Sequence, residues 1–125
     1  MALKVLVVDD QPGIVQVLGI ILQRAGYEPL FAINGREALE IINRERPHVV
    51  ILDDMLPGEP DGGDVCLILK ENHKTRHIPV IMHSAGMRIQ SASFLSHIGA
   101  DAALQKPCPP RRILETIEAC LNERV

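Results

Sequence analysis

Short apolar runs alternate with amphipathic segments along the whole chain. Continuous apolar runs that end in polar or acidic residues are typical of strands buried on both faces of a sheet. Such runs predict strands at residues 4–8, 30–32, 49–52, 80–82 and 102–105. Between them, apolar residues recur at helical spacing and predict helices at residues 14–25, 36–44, 64–71 and 89–98, with a last helix that starts near residue 110.

Residues that start or stop helices lie at several of these boundaries. Gly26 and Gly99 follow the first and fourth predicted helices, as helix-ending glycines do. Asn34 can accept a hydrogen bond from the first turn of the second helix, and Pro47 ends that helix. A Pro- and Gly-rich turn at residues 57–63 separates the third strand from the third helix.

The alternation of strand and helix predicts an α/β fold with helices on both faces of a parallel sheet. Because proline cannot donate to a sheet ladder, Pro29 indicates that the second strand lies at an edge, unless it precedes the strand. An edge position fits the flavodoxin-like order 2-1-3-4-5, so we predict a doubly wound five-stranded parallel sheet with five helices. The length of 125 residues suits one domain, and we expect a single domain over residues 1–125.

Composition narrows the range of functions. The net charge is −3 with no basic stripe, so we expect no direct contact with nucleic acid. No apolar run approaches the roughly 18 residues of a membrane helix, and the first run is too short for a signal peptide. The three cysteines include no CxxC pair, which favours a reducing compartment and a cytoplasmic protein.

Acidic residues follow two predicted strands that should be neighbours. Asp9 and Asp10 end the first strand, and Asp53 and Asp54 end the third. An acidic pair after a strand is by itself more often part of a solvated loop. In the order 2-1-3-4-5, however, the two strands flank the point where ligands bind. Carboxylates so close together repel each other unless a cation lies among them, and oxygen ligands suit Mg²⁺, Mn²⁺ or Ca²⁺.

Two more residues complete a candidate site for phosphoryl transfer. Ser84 follows the fourth strand and can donate its hydroxyl to a phosphoryl oxygen. Lys106 follows the fifth strand and can pair with a carboxylate or with the phosphoryl group. Asp53 is the candidate nucleophile, because an aspartate can form an acyl phosphate and Mg²⁺ can hold the incoming group.

The segments around these residues resemble response-regulator receiver domains of two-component signalling, similar to chemotaxis regulators, over about residues 3–122. The matching segments are residues 5–12 (VLVVDDQP), 49–58 (VVILDDMLPG), 78–85 (IPVIMHSA) and 99–107 (GADAALQKP). The resemblance implies that a single receiver domain accepts a phosphoryl group on Asp53 from a sensor histidine kinase or phosphotransfer protein. It would lose that group by slow self-catalysed hydrolysis, and would act as a signalling switch on an output domain or effector.

The resemblance also implies roles for the site residues. Mg²⁺ would be held by Asp9, Asp10, Asp53 and the carbonyl of Met55. Ser84 and Lys106 would contact the phosphoryl group as catalytic residues together with Asp53. The peptide bond between Lys106 and Pro107 would be cis, which proline makes affordable.

Three positions depart from the family pattern. Ala103 stands where an aromatic usually swings inward on phosphorylation, so the readout would be weakened or rerouted. Asp54 stands where an apolar residue is usual, and it adds charge to the crevice if it points inward or is inert if it points away. Glu59 lies in a loop about one residue longer than usual, where a solvated acid is favoured over a contact with the metal.

Other hypotheses remain open at this point. His83 could approach the site, although a packed or surface role is favoured. The charge-poor segment 89–98 could offer an apolar contact for a partner or for a homodimer, although core packing explains about half of it. A phosphorylation-independent interaction domain is the main alternative function. An aspartyl phosphohydrolase of the haloacid-dehalogenase type is disfavoured, because Met55 stands where that class needs a second Asp.

Overall fold

The computed structural model describes residues 2–123, in which five strands alternate with helices. The strands are β1 (Lys4–Val8), β2 (Glu28–Ala32), β3 (Val49–Leu52), β4 (Val80–Ser84) and β5 (Ala102–Gln105). The helices are α1 (Pro12–Arg24), α2 (Gly35–Glu45), α3 (Gly62–Glu71), α4 (Ala92–Ile98) and α5 (Pro110–Asn122), and a 3₁₀ turn at Arg88–Gln90 precedes α4.

The strands form one parallel sheet in the order β2-β1-β3-β4-β5, which confirms the predicted fold. Pro29 lies inside β2 and pairs with Val5 of β1. Because β2 has a neighbour on one side only, the missing N–H of Pro29 does not interrupt the interior of the sheet.

Side chains on the two faces of the sheet fill two separate cores. Leu6 and Val8 of β1 pack with residues of α2, α3 and α4. Val5 and Val7 of the same strand pack with residues of α1 and α5. Burial of both faces explains why the central strands are continuous apolar runs instead of alternating patterns.

Helix caps account for most differences from the predicted boundaries. Asn34 caps α2, as predicted, by accepting a hydrogen bond from Glu37 N at 2.8 Å. Asp61 and Asp64 form a reciprocal capping box, so α3 starts at Gly62 and not at Asp64. The single helix predicted at 89–98 is wrong: Ser91 is extended and caps α4 through Phe94 N, which separates α4 from the 3₁₀ turn.

No helix within residues 2–123 is long and apolar enough to cross a membrane.

Candidate functional site

The carboxyl ends of four strands bring the predicted residues to one edge of the sheet. Asp9 follows β1, Asp53 follows β3, Ser84 ends β4 and Lys106 follows β5. The ladder continues past the strand ends, since Asp53 N donates to Val8 O and Lys106 N donates to Ser84 O, each at 3.0 Å. These bonds hold the residues in register with their neighbours.

Three carboxylates lie together at this edge. Asp9 and Asp53 are buried, whereas Asp10 is exposed, and one oxygen of each lies within 4.8 Å of the other two. Met55 N donates to Asp53 Oδ1 at 3.0 Å, and Gln11 N donates to Asp9 Oδ1 at 2.9 Å. Buried carboxylates at this separation repel each other, and a set of hard oxygen donors matches what Mg²⁺ binds. The residues therefore fit a divalent cation.

Lys106 supplies the positive charge within the cluster. Its Nζ donates to Asp9 Oδ2 at 2.7 Å and to Asp53 Oδ2 at 2.9 Å. Burial by itself lowers the pKa of Lys106, but the hydrogen bonds and charges of the two aspartates outweigh it and raise the pKa above its ordinary value. The ammonium therefore stays charged. The peptide bond that follows it is cis, as predicted.

Ser84 and Met55 border the cluster. Ser84 is fully buried, and its Oγ accepts a hydrogen bond from Gly86 N at 3.1 Å, which leaves the hydroxyl proton free to be donated. The Met55 side chain is largely exposed and covers Gly86. An open crevice of about 650 Å³ is lined by Met55 and Gly86, and also by Asp10 and Met87.

His83 is packed, as favoured from the sequence. It lines a second groove between α1 and α5, together with Lys106. Burial, and next the positive charge of Lys106, lower the pKa of His83, although Asp9 and Asp53 oppose this shift. The imidazole is therefore neutral near pH 7.

Asp54 lines the same crevice as Asp10, but its negative charge is paired. Its buried carboxylate accepts two hydrogen bonds from Arg88, at 2.9 and 2.6 Å. These hydrogen bonds raise the pKa of Arg88 above its ordinary value. Sequence analysis missed Arg88, because the two residues are 34 positions apart and no motif links them. The available signal in the sequence was a single positively charged residue, Arg88, directly before the charge-poor segment 89–98.

Ala103 and Glu59, the other two departures from the family pattern, both lie outside the acidic cluster. Ala103 pairs with Met82 of β4 and packs against the core on the side of α4. Glu59 is exposed and lines a shallow surface recess with Arg36 instead of the acidic crevice. Its peptide bond to Pro60 is cis.

Comparisons with known proteins agree with this geometry. The family model described as response regulator receiver domain matches residues 5–118, so the chain belongs to that family. The resemblance seen in the sequence is thereby confirmed. Receiver domains are signalling modules and not classical enzymes, which removes support for a phosphohydrolase. They bind Mg²⁺ at an acidic pocket and interact with histidine kinases or phosphotransfer proteins.

Several solved structures are similar to this chain. The signal receiver domain of a signal transduction histidine kinase from Syntrophus aciditrophicus is 31% identical, with a TM-score of 0.89 over 98% of this chain and 92% of that one. The chemotaxis response regulator CheY4 of Vibrio cholerae is 30% identical, with a TM-score of 0.88 over 97% of this chain and all (100%) of that one. NtrX from Brucella abortus is 32% identical, with a TM-score of 0.87, and this chain covers 27% of it.

Proposed function

We propose that this receiver domain is a Mg²⁺-dependent switch that is phosphorylated on Asp53. The observation that carries the proposal is the position of the Asp53 carboxylate. It is buried at the carboxyl end of β3, bound to Lys106 at 2.9 Å, and clustered with Asp9 and Asp10. A nucleophile, a positively charged side chain and a set of oxygen ligands thus lie together at one edge of the sheet.

The reaction is the transfer of a phosphoryl group from a phosphohistidine on a sensor histidine kinase or phosphotransfer protein. An oxygen of Asp53 attacks phosphorus, a new O–P bond forms and the N–P bond of the donor breaks. The electron pair of that bond stays on the histidine nitrogen. Catalysis then consists mainly of positioning the two reactants and stabilising negative charge.

The carboxylates of Asp9, Asp10 and Asp53, with the carbonyl of Met55, are the proposed Mg²⁺ ligands. When bound, the cation supplies positive charge that offsets the charge on the phosphoryl oxygens. Lys106 already bridges Asp9 and Asp53, so its ammonium is in place to pair with a phosphoryl oxygen. Ser84 has a hydroxyl proton to donate to another.

The downstream partner is an output domain or effector whose affinity changes when Asp53 is phosphorylated. The proposed single domain over residues 1–125, the cytoplasmic location and the lack of direct contact with nucleic acid stay predictions, as does the homodimer.

Intact-protein mass spectrometry tests the proposal. The protein is incubated with Mg²⁺ and acetyl phosphate, beside Asp53→Asn and a sample containing EDTA. We expect the native chain to gain one phosphoryl group and both controls to gain none. Failure of the native chain, under conditions that label another receiver domain, would contradict the proposal.

Ala103 favours a second candidate function. A methyl group has no rotamer that could report the state of Asp53, so the domain could bind its partner regardless of phosphorylation. Equal partner affinity of the native chain and of Asp53→Asn, with and without acetyl phosphate, would support that function.

A further inference from the structure

The Asp54 carboxylate is held by groups from two other segments. Arg88 Nε donates to Oδ2 at 2.9 Å, and Arg88 Nη2 donates to Oδ1 at 2.6 Å. The backbone N–H of Gly63 also donates to Oδ1, at 3.1 Å. Two parallel bonds from one planar guanidinium fix the orientation of the pair as well as its length. Because the Asp54 side chain is buried, salt screens this pair less than a surface pair.

Arg88 also contacts α3 and α4. Its guanidinium carbon lies 4.4 Å from the centre of the Phe94 ring, and its Nη2 lies 3.2 Å from Asp61 Oδ2. Gly63 makes room for this arrangement, because a Cβ there would lie 3.0 Å from the Phe94 ring and 3.1 Å from Arg88 Nη2. One guanidinium thus joins the segment after β3, the start of α3 and the first turn of α4.

The backbone of Arg88 lies in the loop that connects Ser84 with α4. Gly86 N donates to Ser84 Oγ at 3.1 Å, and Arg88 follows two residues later. Ser91 N then donates to Arg88 O at 3.0 Å, and Ser91 caps α4. Ser84 and α4 are therefore linked by a short hydrogen-bonded loop that contains Arg88.

We propose that the Asp54–Arg88 ion pair carries the state of Asp53 to α4, with Arg88 as a positioning residue. Asp54 follows the acceptor Asp53 directly in the chain, and the Arg88 guanidinium lies over the Phe94 ring. A change in the backbone at Asp53, or in the loop after Ser84, therefore moves the first turn of α4 through the guanidinium. The inference rests on the proposed phosphorylation of Asp53, and it places the readout at Arg88 instead of at residue 103.

Variants that separate this role from a purely structural one are available. Arg88→Gln alone would leave a buried carboxylate without its cation and could unfold the protein. The double variant Asp54→Asn/Arg88→Gln removes the pair without leaving a buried charge. Arg88→Lys keeps the charge but loses the two parallel bonds. Arg111→Gln is the matched control, since Arg111 is exposed and lies 3.9 Å from Glu115 in a surface pair.

The measurement combines mass spectrometry with the backbone amide NMR shifts of residues 92–98, recorded with Mg²⁺ before and after acetyl phosphate. We expect every variant to take up one phosphoryl group. The shift changes in α4 should be of native size in Arg111→Gln and smaller by roughly twofold or more in the double variant. Arg88→Lys should lie between them.

The outcomes separate the two proposals. Shift changes of native size in the phosphorylated double variant overturn the role of the ion pair and leave phosphorylation of Asp53 intact. If the double variant does not fold, Arg88→Lys decides in its place, because the proposed coupling requires the two parallel bonds that lysine cannot make, and native-size changes there overturn it. A native chain that takes up no phosphoryl group overturns the proposed function and this inference together.

Discussion

The ammonium of Lys106 lies between two buried carboxylates that would otherwise repel each other. It is 2.7 Å from Asp9 and 2.9 Å from Asp53, and its side chain is only 10% exposed. An exposed ion pair contributes little to stability, but removal of one partner from a buried pair leaves an uncompensated charge. Lys106 therefore has a structural role as well as the proposed catalytic one.

Lys106→Met should destabilise the protein in EDTA by about 3–5 kcal/mol, because Asp9 and Asp53 lose their shared cation. Added Mg²⁺ should recover part of this loss, since a bound metal ion neutralises the same carboxylates. Urea unfolding with and without Mg²⁺ measures both effects. Lys4→Met is the control, because Lys4 pairs with Glu45 at a more exposed position, and its loss should cost much less stability. Similar losses in the two variants would contradict the prediction.

His83 makes the stability of the fold depend on pH. Burial lowers the pKa of His83 in the folded state, so between that value and the unfolded value of about 6.5 the unfolded chain binds more protons. Stability is therefore highest above the unfolded pKa and is lost as the pH falls toward the folded pKa.

The free energy of unfolding of the native chain should fall by up to about 1.4 kcal/mol per pH unit in that range through His83 alone. His83→Gln should show a shallower slope between pH 7.5 and 5, as followed by urea unfolding. His73→Gln is the control, since His73 is exposed and should leave the slope unchanged. Equal slopes for the native chain and His83→Gln would show that this histidine does not drive the pH dependence.

At the scale of elements, the start of α3 is built directly onto the backbone of the site. Gly62 N donates to Asp54 O at 3.1 Å, and a Cβ at Gly62 would collide with the carbonyl oxygen of Asp53. Backbone atoms cannot rotate out of the way as a flexible side chain can. The residue at 62 is therefore restricted to glycine by this close approach.

Gly62→Ala should lower the melting temperature strongly and reduce phosphorylation, because the backbone at Asp53 must shift to accept the methyl group. Gly13→Ala is the matched control in α1, where a Cβ has no neighbour within 4 Å. That change should stabilise the protein by about 0.4–1 kcal/mol. Thermal unfolding of both variants measures whether the melting temperature falls in Gly62→Ala and rises in Gly13→Ala. A Gly62→Ala protein as stable as Gly13→Ala would refute the argument.

Local sequence signals predicted the elements well where the stabilising contact is local. The residue type of Asn34 and its position before a helix predict a cap, and its partner, Glu37, is only three residues away. The break at Ser91 was missed, because the apolar spacing on either side of it continues across the cap. The Asp54–Arg88 pair was missed for a different reason, since it forms only when the folded sheet brings two distant loops together.

At the scale of the whole molecule, the strand order determines which residues, distant in the sequence, lie together in the site. Asp9 and Asp53 are 44 positions apart in the sequence, but β1 and β3 are neighbours in the sheet. The parallel arrangement then requires both carboxyl ends to meet at one edge. The apolar runs predict a parallel sheet, and Pro29 favours an edge position for β2 that fits this order, and so the aspartates, Ser84 and Lys106 could be placed together. The burial of Asp53 and Asp54 and their long-range hydrogen-bond partners, by contrast, depend on packing that no pattern in the sequence specifies.

The clustered carboxylates have opposite effects on the stability of the domain in the absence and in the presence of a divalent cation. Without metal, Asp10 adds negative charge beside Asp9 and Asp53, and this repulsion destabilises the folded state. With metal, the same charge strengthens binding, and a ligand that binds only the folded state stabilises it by mass action. At a Mg²⁺ concentration ten times the dissociation constant, the gain is about 1.4 kcal/mol. For a domain of this size it corresponds to a rise in melting temperature of about 3–7 °C.

Asp10→Asn should therefore be at least as stable as the native chain in EDTA, yet gain less from Mg²⁺. Glu40→Gln removes the same charge from an exposed position on α2 and should keep the full response to Mg²⁺. Melting temperatures measured over a series of Mg²⁺ concentrations separate the two effects. The melting temperature in EDTA reports the repulsion among the carboxylates, and its rise with Mg²⁺ concentration reports binding of the cation. A native-like response to Mg²⁺ in Asp10→Asn would show that Asp10 does not hold the cation. The metal would then depend on Asp9 and Asp53, the two carboxylates that Lys106 already bridges.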